Sequence, residues 1–245
     1  NGVQILLLFC EDNDSNIRIS AEENLNRIIR MVEKQHQILL IQIELYHEIK
    51  KNGNERSLKV CLNLFSHFTH NIKHRRRKIY AQNLVPCMLL IGKRKEPLVI
   101  ESFVEFVKAF SKHLLNCLSE YEVMKLVDLF VENLSVECAI KRRCSAQNIR
   151  TMLDHLVKRK AIIKSLVVKI QENIVKEQEP FLVIGTLNLL RLLMPLLIES
   201  KDHHSKIIEL LETCLNSLKL ETNHSIINAN LEVINEVLSV SASQN

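Results

Sequence analysis

The sequence has few of the residues that interrupt helices and few aromatic rings. Its 245 residues include four glycines and four prolines, where average usage would give roughly 17 and 12. Because all-β folds need Gly and Pro in their many turns, this scarcity argues against them and favours long helices joined by short loops. Tryptophan is absent and aromatic residues make up 4% of the chain, which leaves few side chains for stacking on nucleic-acid bases.

The motifs of common enzyme classes are also missing. The chain has no Gly-rich phosphate-binding loop, no GxSxG, no HExxH and no CxxC, each of which supplies a group that catalysis or metal binding needs. We therefore predict a protein that is not an enzyme and takes no cofactor. The seven cysteines, an odd number without the spacing of a small disulfide scaffold, are expected to be reduced, mostly buried thiols of an intracellular protein.

Apolar residues recur at three- and four-residue steps along most of the chain, which predicts amphipathic helices. The stretch 44–58 carries the end of one helix, a tight turn and the start of a second helix, with Gly53 where a left-handed helix cap costs least. Equivalent apolar anchors follow one another at intervals of 41 residues, and a sixth lies 45 residues further on. The anchors are Ile17, Leu58, Val99, Ile140, Phe181 and Ile226.

A period near 41 residues with two helices in each unit is typical of HEAT-type arrays, and it does not fit the ankyrin and TPR periods of about 33–34 residues. We therefore predict an all-α, HEAT-type α-solenoid of about five and a half two-helix repeats. The array is expected to be single over residues 1–245 and, since the chain begins with Asn, to be part of a longer protein. The predicted helices lie near 3–10, 15–32, 36–51, 56–73, 76–92, 97–114, 120–134, 138–158, 161–177, 180–199, 204–219 and 225–240.

Local signals support these helices. Pro97 and Pro180 are expected at first helical positions, and Ser119 and Glu122 have the spacing of a capping box. Pro86 falls inside a predicted helix, where it should kink or locally open the hydrogen-bond ladder. The most apolar stretch, 187–198, is interrupted by an Asn, an Arg and a Pro, so an interior helix is preferred to a membrane span.

Several stretches resemble the amino-terminal HEAT region of the huntingtin family. The most specific is IELYHEIKKNGNERSL at 43–58. The likeness extends in the same order over AEENLNRII (21–29), NLVPC (83–87), IKRR (140–143) and LVIGTLNLLRLLMPLL (182–197). Identity is low elsewhere, so the chain is identified as a divergent homologue, a fragment of a larger amino-terminal HEAT domain.

The resemblance implies a large, intracellular, non-enzymatic scaffold of stacked helices. It implies association with vesicle transport, microtubule motors and autophagy. The implied partners are proteins, including a TPR-like helical huntingtin-associated protein and other HEAT domains of the same chain. A cytoplasmic location is expected, with the nucleus as a second. The sequence contains no polyglutamine or proline-rich tract, so the functions of such tracts are not expected of it.

Cations gather in the turns between the two helices of three successive repeats. Because such turns lie along one edge of a solenoid, they predict a continuous positive strip. Several members occupy helix amino ends, where a cation costs about 0.3–1 kcal/mol, so helix stability does not account for them. A surface for an acidic partner and an ordinary solvated edge are the two interpretations. The predicted partner-binding residues are Lys50, Lys51, Arg56, Lys59, Lys93, Arg94, Lys95, Lys141, Arg142 and Arg143.

Two further clusters carry alternatives. The basic run 73–78, KHRRRK, resembles a nuclear-localisation or nucleic-acid patch, and 158–160 repeats its character two units along. His67, His70 and His74 are spaced to share one helical face and are the best metal candidates; a polar helix end leading into a basic turn is preferred, and no metal site is predicted. The leading hypothesis is a protein-interaction scaffold, and the alternative is a basic-edged adaptor that binds nucleic acid or anionic lipid.

Overall fold

Helices make up nearly all of the structure. A computed structural model describes residues 2–34, 38–175, 179–198 and 204–243, and within these ranges it contains twelve α-helices, three short 3₁₀ turns and no strand. Each α-helix lies where the sequence predicts one, which confirms the all-α class. The α-helices are α1 (Gly2–Phe9), α2 (Ser15–Lys34), α3 (Ile38–Lys51), α4 (Glu55–Phe68), α5 (His74–Ile91), α6 (Pro97–His113), α7 (Glu120–Glu132), α8 (Ala139–His155), α9 (Lys160–Ile174), α10 (Pro180–Ile198), α11 (His204–Leu220) and α12 (His224–Ser243).

Several helices begin at the capping residues that the sequence indicates. At the start of α7, the backbone N–H of Ser119 donates to Glu122 Oε2 at 2.8 Å, and the backbone N–H of Glu122 donates to Ser119 Oγ at 3.3 Å. These two bonds form the predicted capping box. Pro97 and Pro180 each open a helix, where the missing N–H leaves no intrahelical bond unmade. Pro86 lies inside α5, as predicted.

The turn between α3 and α4 differs from its prediction in one backbone angle. The left-handed residue is Asn52, with a φ of 49°, whereas Gly53 has no positive φ. Asn tolerates the left-handed region better than most residues with a side chain, so the predicted position was wrong by one residue. Asn54 then caps α4, because its Oδ1 accepts a 2.9 Å hydrogen bond from the backbone N–H of Arg56.

The helix predicted over 56–73 ends early. α4 stops at Phe68, and the 3₁₀ turn Thr69–Asn71 follows it. The Thr69 hydroxyl donates to the Phe65 carbonyl at 2.8 Å, and Ile72 is extended with a ψ of 118°. The chain therefore turns before His74, the first residue of α5.

The chain divides into two compact units, Asn1–Leu126 and Val127–Asn245. In the first unit, α4 and α6 are joined by buried aromatic rings: the centroids of Phe65 and Phe106 are 5.9 Å apart, and those of Phe106 and Phe110 are 6.4 Å apart. Aromatic pairs at such distances contribute packing energy beyond their burial. This contact fixes the second helices of two neighbouring repeats against each other. A single array over residues 1–245 stays a prediction.

In the second unit, α10 packs against α8, α9 and α12. Leu187, Leu190 and Met194 are fully buried on it. Among the described helices, α10 is the one that is long and apolar enough to cross a membrane by length and composition, and 61% of its most apolar window is buried in the protein. That burial is what the predicted interior helix requires.

None of the seven cysteines forms a disulfide bond. Four of them, Cys10, Cys61, Cys87 and Cys214, are buried as predicted, and burial raises the pKa of both Cys10 and Cys214 to about 11. Cys138 is exposed at the residue before α8. Cys138 and Cys144 fall within one predicted helix, 138–158, which favoured a core position for both. For Cys138 this prediction was wrong, because the residue lies before the first turn of α8 and faces solvent.

Candidate functional site

The ten residues of the predicted basic edge are divided between the two units. Seven lie in the first unit, around the α3–α4 turn and the α5–α6 turn, and three lie in the first turns of α8 in the second unit. These ten residues differ in what their side chains contact. That these residues bind a partner stays a prediction.

In the first unit, arginines connect one inter-helix turn to the turn of the preceding repeat. Arg56 donates from Nη1 to the carbonyl of Asp12 at 3.0 Å, across 44 residues of sequence. Arg94 donates from Nη1 to the carbonyls of Asn52 and Gly53, each at 3.0 Å, across 42 and 41 residues. The guanidinium carries several fixed donors and no acceptor, which suits it to clusters of turn carbonyls. Both arginines therefore hold neighbouring turns together.

Arg94 also forms an ion pair within its own turn. Its Nη2 lies 2.8 Å from Glu96 Oε1, and its Nε donates to the same carboxylate at 3.0 Å. The backbone N–H of Lys95 donates to Glu96 Oε2 at 2.9 Å. The hydrogen bonds from Arg94, and then those from the backbone, lower the pKa of Glu96 to about 2. The α5–α6 turn is thus fixed by a bidentate pair that also reaches the preceding turn.

In the second unit, two of the three predicted cations are buried. Arg142 donates from Nη1 to the carbonyls of Val136 and Glu137, at 2.7 and 2.6 Å, and its guanidinium lies 4.9 Å from the centroid of the Phe181 ring. Lys141 is 6% exposed and Arg142 is 9% exposed, so little of either can face a partner. Arg143 is exposed.

The hydrogen bonds of Arg56 and Arg142 to carbonyls account for these two cations without a partner. Arg56 and Arg142 stand near helix amino ends, where their charge is unfavourable. Hydrogen bonds of charged donors to buried or turn carbonyls contribute about 1.5–3 kcal/mol and outweigh that cost. A partner is therefore not needed to account for Arg56 and Arg142. The two interpretations of the basic edge, a surface for an acidic partner and an ordinary solvated edge, stay predictions. Sequence patterns do not show which carbonyls a guanidinium will reach.

The lysines of the first unit are placed differently. Lys50, Lys93 and Lys95 are exposed, and we call these three residues the lysine edge. Lys51 is exposed and pairs with Glu48 one turn earlier, and that hydrogen bond raises the pKa of Lys51. Lys59 is half-buried. The lysine edge combines two properties. Its side chains are exposed to solvent, and they lie on turns that the hydrogen bonds of Arg94 hold in place.

The second basic cluster and the histidines surround the start of α5. Within the run 73–78, the residues Lys73, His74, Arg75 and Lys78 are exposed, and Arg77 donates from Nε to the Ile72 carbonyl at 3.1 Å. His67 lies in α4, His70 in the 3₁₀ turn, and His74 opens α5. The three imidazoles therefore do not share one helical face. No group of three metal-ligating side chains is assembled in the described ranges.

Sequence reasoning missed a groove between α3 and α5. Ile43 and Tyr46 of α3 face Ile79 and Tyr80 of α5 around a cavity of 350 Å³. The sequence shows only an isoleucine at position 79 directly after the basic run 73–78, and the structure leaves 60% of that residue open to solvent. Exposed single apolar residues are common on protein surfaces, so the groove is visible only once the two helices are placed side by side.

Comparison with known proteins gives three findings. Residues 6–158 match the family model described as huntingtin, N-terminal HEAT 1. Huntingtin from Takifugu rubripes is 32% identical over 203 residues, which cover 80% of this chain and 6% of that protein. A chain in the structure that describes Kap95p binding and the switch loops of RanGDP is 13% identical with a TM-score of 0.64, covering 99% of this chain and 30% of that one. This last likeness concerns the fold alone, which is that of a helical repeat solenoid.

Proposed function

Because the chain belongs to the huntingtin amino-terminal HEAT family, a family of helical repeat scaffolds, we propose that it works as a non-enzymatic protein-interaction segment of a longer scaffold. It spans 6% of the relative's length, so the activity of a whole protein is attributed to it only as part of this proposal. The observation that carries the proposal is the lysine edge, Lys50, Lys93 and Lys95, exposed on turns fixed by Arg94. A partner that meets a preorganised edge loses less entropy on binding.

The finer roles are proposed from the resemblance to that family. The proposed setting is the assembly of cytoplasmic complexes for vesicle and microtubule transport and for autophagy, with the nucleus as a second location. The proposed partners are a TPR-like helical huntingtin-associated protein and other HEAT domains of the same chain. Acidic patches on these proteins would be the complement of the lysine edge, because charge complementarity sets orientation and association rate.

The test reverses the charge of the lysine edge. A variant with Lys50→Glu, Lys93→Glu and Lys95→Glu is compared with the native chain in affinity capture from cytosol at two salt concentrations. Lys141 and Arg142 are left unchanged because they are buried, and a carboxylate at either position would destabilise the second unit. The matched control carries Lys108→Glu, Lys112→Glu and Lys164→Glu, three exposed lysines elsewhere on helices, and has the same net charge.

We expect the native chain and the control to retain the same acidic proteins and the lysine-edge variant to lose them, with weaker retention at high salt. Equal losses from the two variants would show that net charge alone matters. Equal retention by all three chains would contradict the lysine edge as a recognition surface.

The alternative, an adaptor for nucleic acid or anionic lipid, is favoured by one observation: four exposed cationic or imidazole side chains at the start of α5, Lys73, His74, Arg75 and Lys78. It predicts binding of duplex nucleic acid whose affinity falls by about 0.9 log unit per log unit of salt for each phosphate contacted. A fluorescence anisotropy titration with a DNA duplex at several salt concentrations measures this slope. Binding with a steep slope, and capture of no protein, would replace the scaffold proposal.

A further inference from the structure

The groove between α3 and α5 is a second surface of the first unit, separate from the lysine edge. Two neighbouring cavities lie along the groove, one of 350 Å³ and one of 390 Å³. Arg76 borders both of them, so the cavities adjoin at that residue. The two cavities follow one another along the two helices.

The direction and length of the groove follow from its lining. The first residues of α3 and α5 border the larger cavity, and later turns of the same helices border the smaller one. The two helices therefore run side by side in the same direction. From Ile38 to His47 the groove extends about 14 Å at the helical rise of 1.5 Å per residue. This length matches about ten residues of a helical ligand.

One end of the groove is apolar and held in shape by aromatic contacts. The rings of Tyr46 and Tyr80 meet edge to face with centroids 6.2 Å apart, and Tyr80 lies 6.2 Å from the buried Phe65. Ile43 is half-buried beside them, and Ile79 is 60% exposed at the rim. A large exposed apolar side chain beside a pocket of packed aromatic rings is typical of sites that receive apolar anchors of a partner.

The other end of the groove is cationic and contains a donor without an acceptor. Lys73 and Arg76 border the larger cavity, and no carboxylate is among its described lining residues. Asn71 borders the same cavity, and its Nδ2 is buried without a hydrogen-bond partner in the described ranges. The adjacent start of α5 has no side-chain cap and no acidic residue in its first turn. A carboxylate placed here would neutralise positive charge from Lys73, Arg76 and the helix end.

We propose that the α3–α5 groove binds an amphipathic helical segment of another protein, with two or three large apolar side chains and with carboxylates at one end. The apolar side chains enter the cavity between Tyr46 and Ile79, and the carboxylates face Lys73, Arg76 and Asn71. Recognition is helix-in-groove, because the backbone groups of α3 and α5 are used within those helices and offer no sheet edge for an extended strand. This inference rests on the proposed scaffold function. It adds the chemistry of one partner segment and the groove that binds it.

The probe is a fluorescein-labelled synthetic peptide of about 14 residues, with leucines at i, i+4 and i+7 and glutamates in its first turn. Two related peptides test the two chemistries separately. One has lysines in place of the glutamates, and the other has serines in place of the leucines. Fluorescence anisotropy gives the affinity of each peptide for the whole chain.

The variants have matched controls on the same helix. Ile79→Ser removes the exposed apolar rim, and Leu90→Ser removes another exposed apolar side chain of α5 that does not border the groove. Arg76→Gln removes the shared cation, and the neighbouring Arg75→Gln removes an exposed cation outside the lining. Circular dichroism melting confirms that each variant is folded before its affinity is compared.

We expect saturable binding of the acidic leucine peptide, weakened by about tenfold in Ile79→Ser and by about fivefold in Arg76→Gln, with both controls unchanged. The two altered peptides should bind more weakly than the first. No saturable binding by the folded chain, equal affinity of all four variants, or tighter binding of the lysine peptide would overturn the proposal. Displacement of the peptide by a polyuridine oligonucleotide would assign the groove to nucleic acid and would also overturn it.

The lysine-edge variant separates this inference from the proposed function. It keeps every groove residue, so it should bind the peptide as the native chain does. If it loses protein partners from cytosol while still binding the peptide, the two surfaces act independently. If it captures the same proteins as the native chain and Ile79→Ser alone loses the peptide, the groove stands and the lysine edge does not.

Discussion

Gly185 on α10 faces the backbone carbonyl of Leu134 so closely that a β-carbon at position 185 would stand 2.4 Å from that oxygen. Leu134 lies in the 3₁₀ turn Asn133–Ser135, which precedes α8. The missing side chain thus lets the central helix of the second unit lie directly against the turn. Neither the oxygen nor the helix backbone is a flexible group that can move aside.

Gly185→Ala should therefore destabilise the second unit. Overpacking of this kind costs about 1–3 kcal/mol, and the free energy of unfolding from urea denaturation measures it. Gly53→Ala is the control, because nothing lies within 4 Å of a β-carbon built there and its φ is not positive. An unchanged midpoint for Gly185→Ala would show that α10 can shift away from the turn.

The buried arginine of the second unit should matter more than its exposed neighbour. Arg142→Met removes the donor to the carbonyls of Val136 and Glu137 and should lower the free energy of unfolding by about 1.5–3 kcal/mol. Arg143→Met removes the same charge from an exposed position, where substitutions change stability by less than about 0.5 kcal/mol. Equal effects of the two substitutions would mean that the bonds of Arg142 contribute nothing beyond its charge.

The Arg94–Glu96 pair should make stability depend on acid. The pKa of Glu96 is lowered to about 2 by its bonds from Arg94, so the folded state binds this proton less readily than the unfolded chain. The contribution of the pair to the free energy of unfolding is complete above the ordinary glutamate pKa and is lost as pH falls from about 4.5 towards 2. Carboxyl carbon shifts followed by NMR report this titration directly.

In an Arg94→Gln chain, the pKa of Glu96 should rise towards its ordinary value, and the acid dependence of unfolding between those pH values should weaken. Lys93→Gln removes a neighbouring exposed cation and should leave the titration nearly unchanged. A Glu96 that titrates at its ordinary pKa in the native chain would contradict the bidentate pair.

Cysteine reactivity should separate the exposed thiol from the buried ones. Ellman's reagent is expected to modify Cys138 first, because it is exposed, while Cys10, Cys61 and Cys214 react only when the chain unfolds. Their raised pKa values reduce the thiolate fraction further. In a Cys138→Ser chain the fast phase should disappear. A fast phase that persists unchanged would show that another thiol is accessible.

The helices were predictable because their signals are local. The three- and four-residue spacing of apolar side chains depends only on the helical period, and the capping box of Ser119 and Glu122 forms within one turn. Boundaries were less predictable, since α4 ends at Phe68 where the Thr69 hydroxyl bonds back to the preceding turn. The residue in the left-handed conformation is Asn52 and not the predicted Gly53, because Asn and Gly can both adopt that conformation.

The sequence by itself determined the all-α class, the repeat period and the family, because each depends on spacing along the chain. Only the tertiary structure decided which cations are available to a partner. Arg94 reaches carbonyls 41 and 42 residues earlier, and Arg142 is buried against Phe181, while Lys50 and Lys93 remain exposed. The physical reason is that contacts with the neighbouring repeat decide whether a charged side chain is buried or exposed to water. A local pattern of residues in the sequence does not contain those contacts.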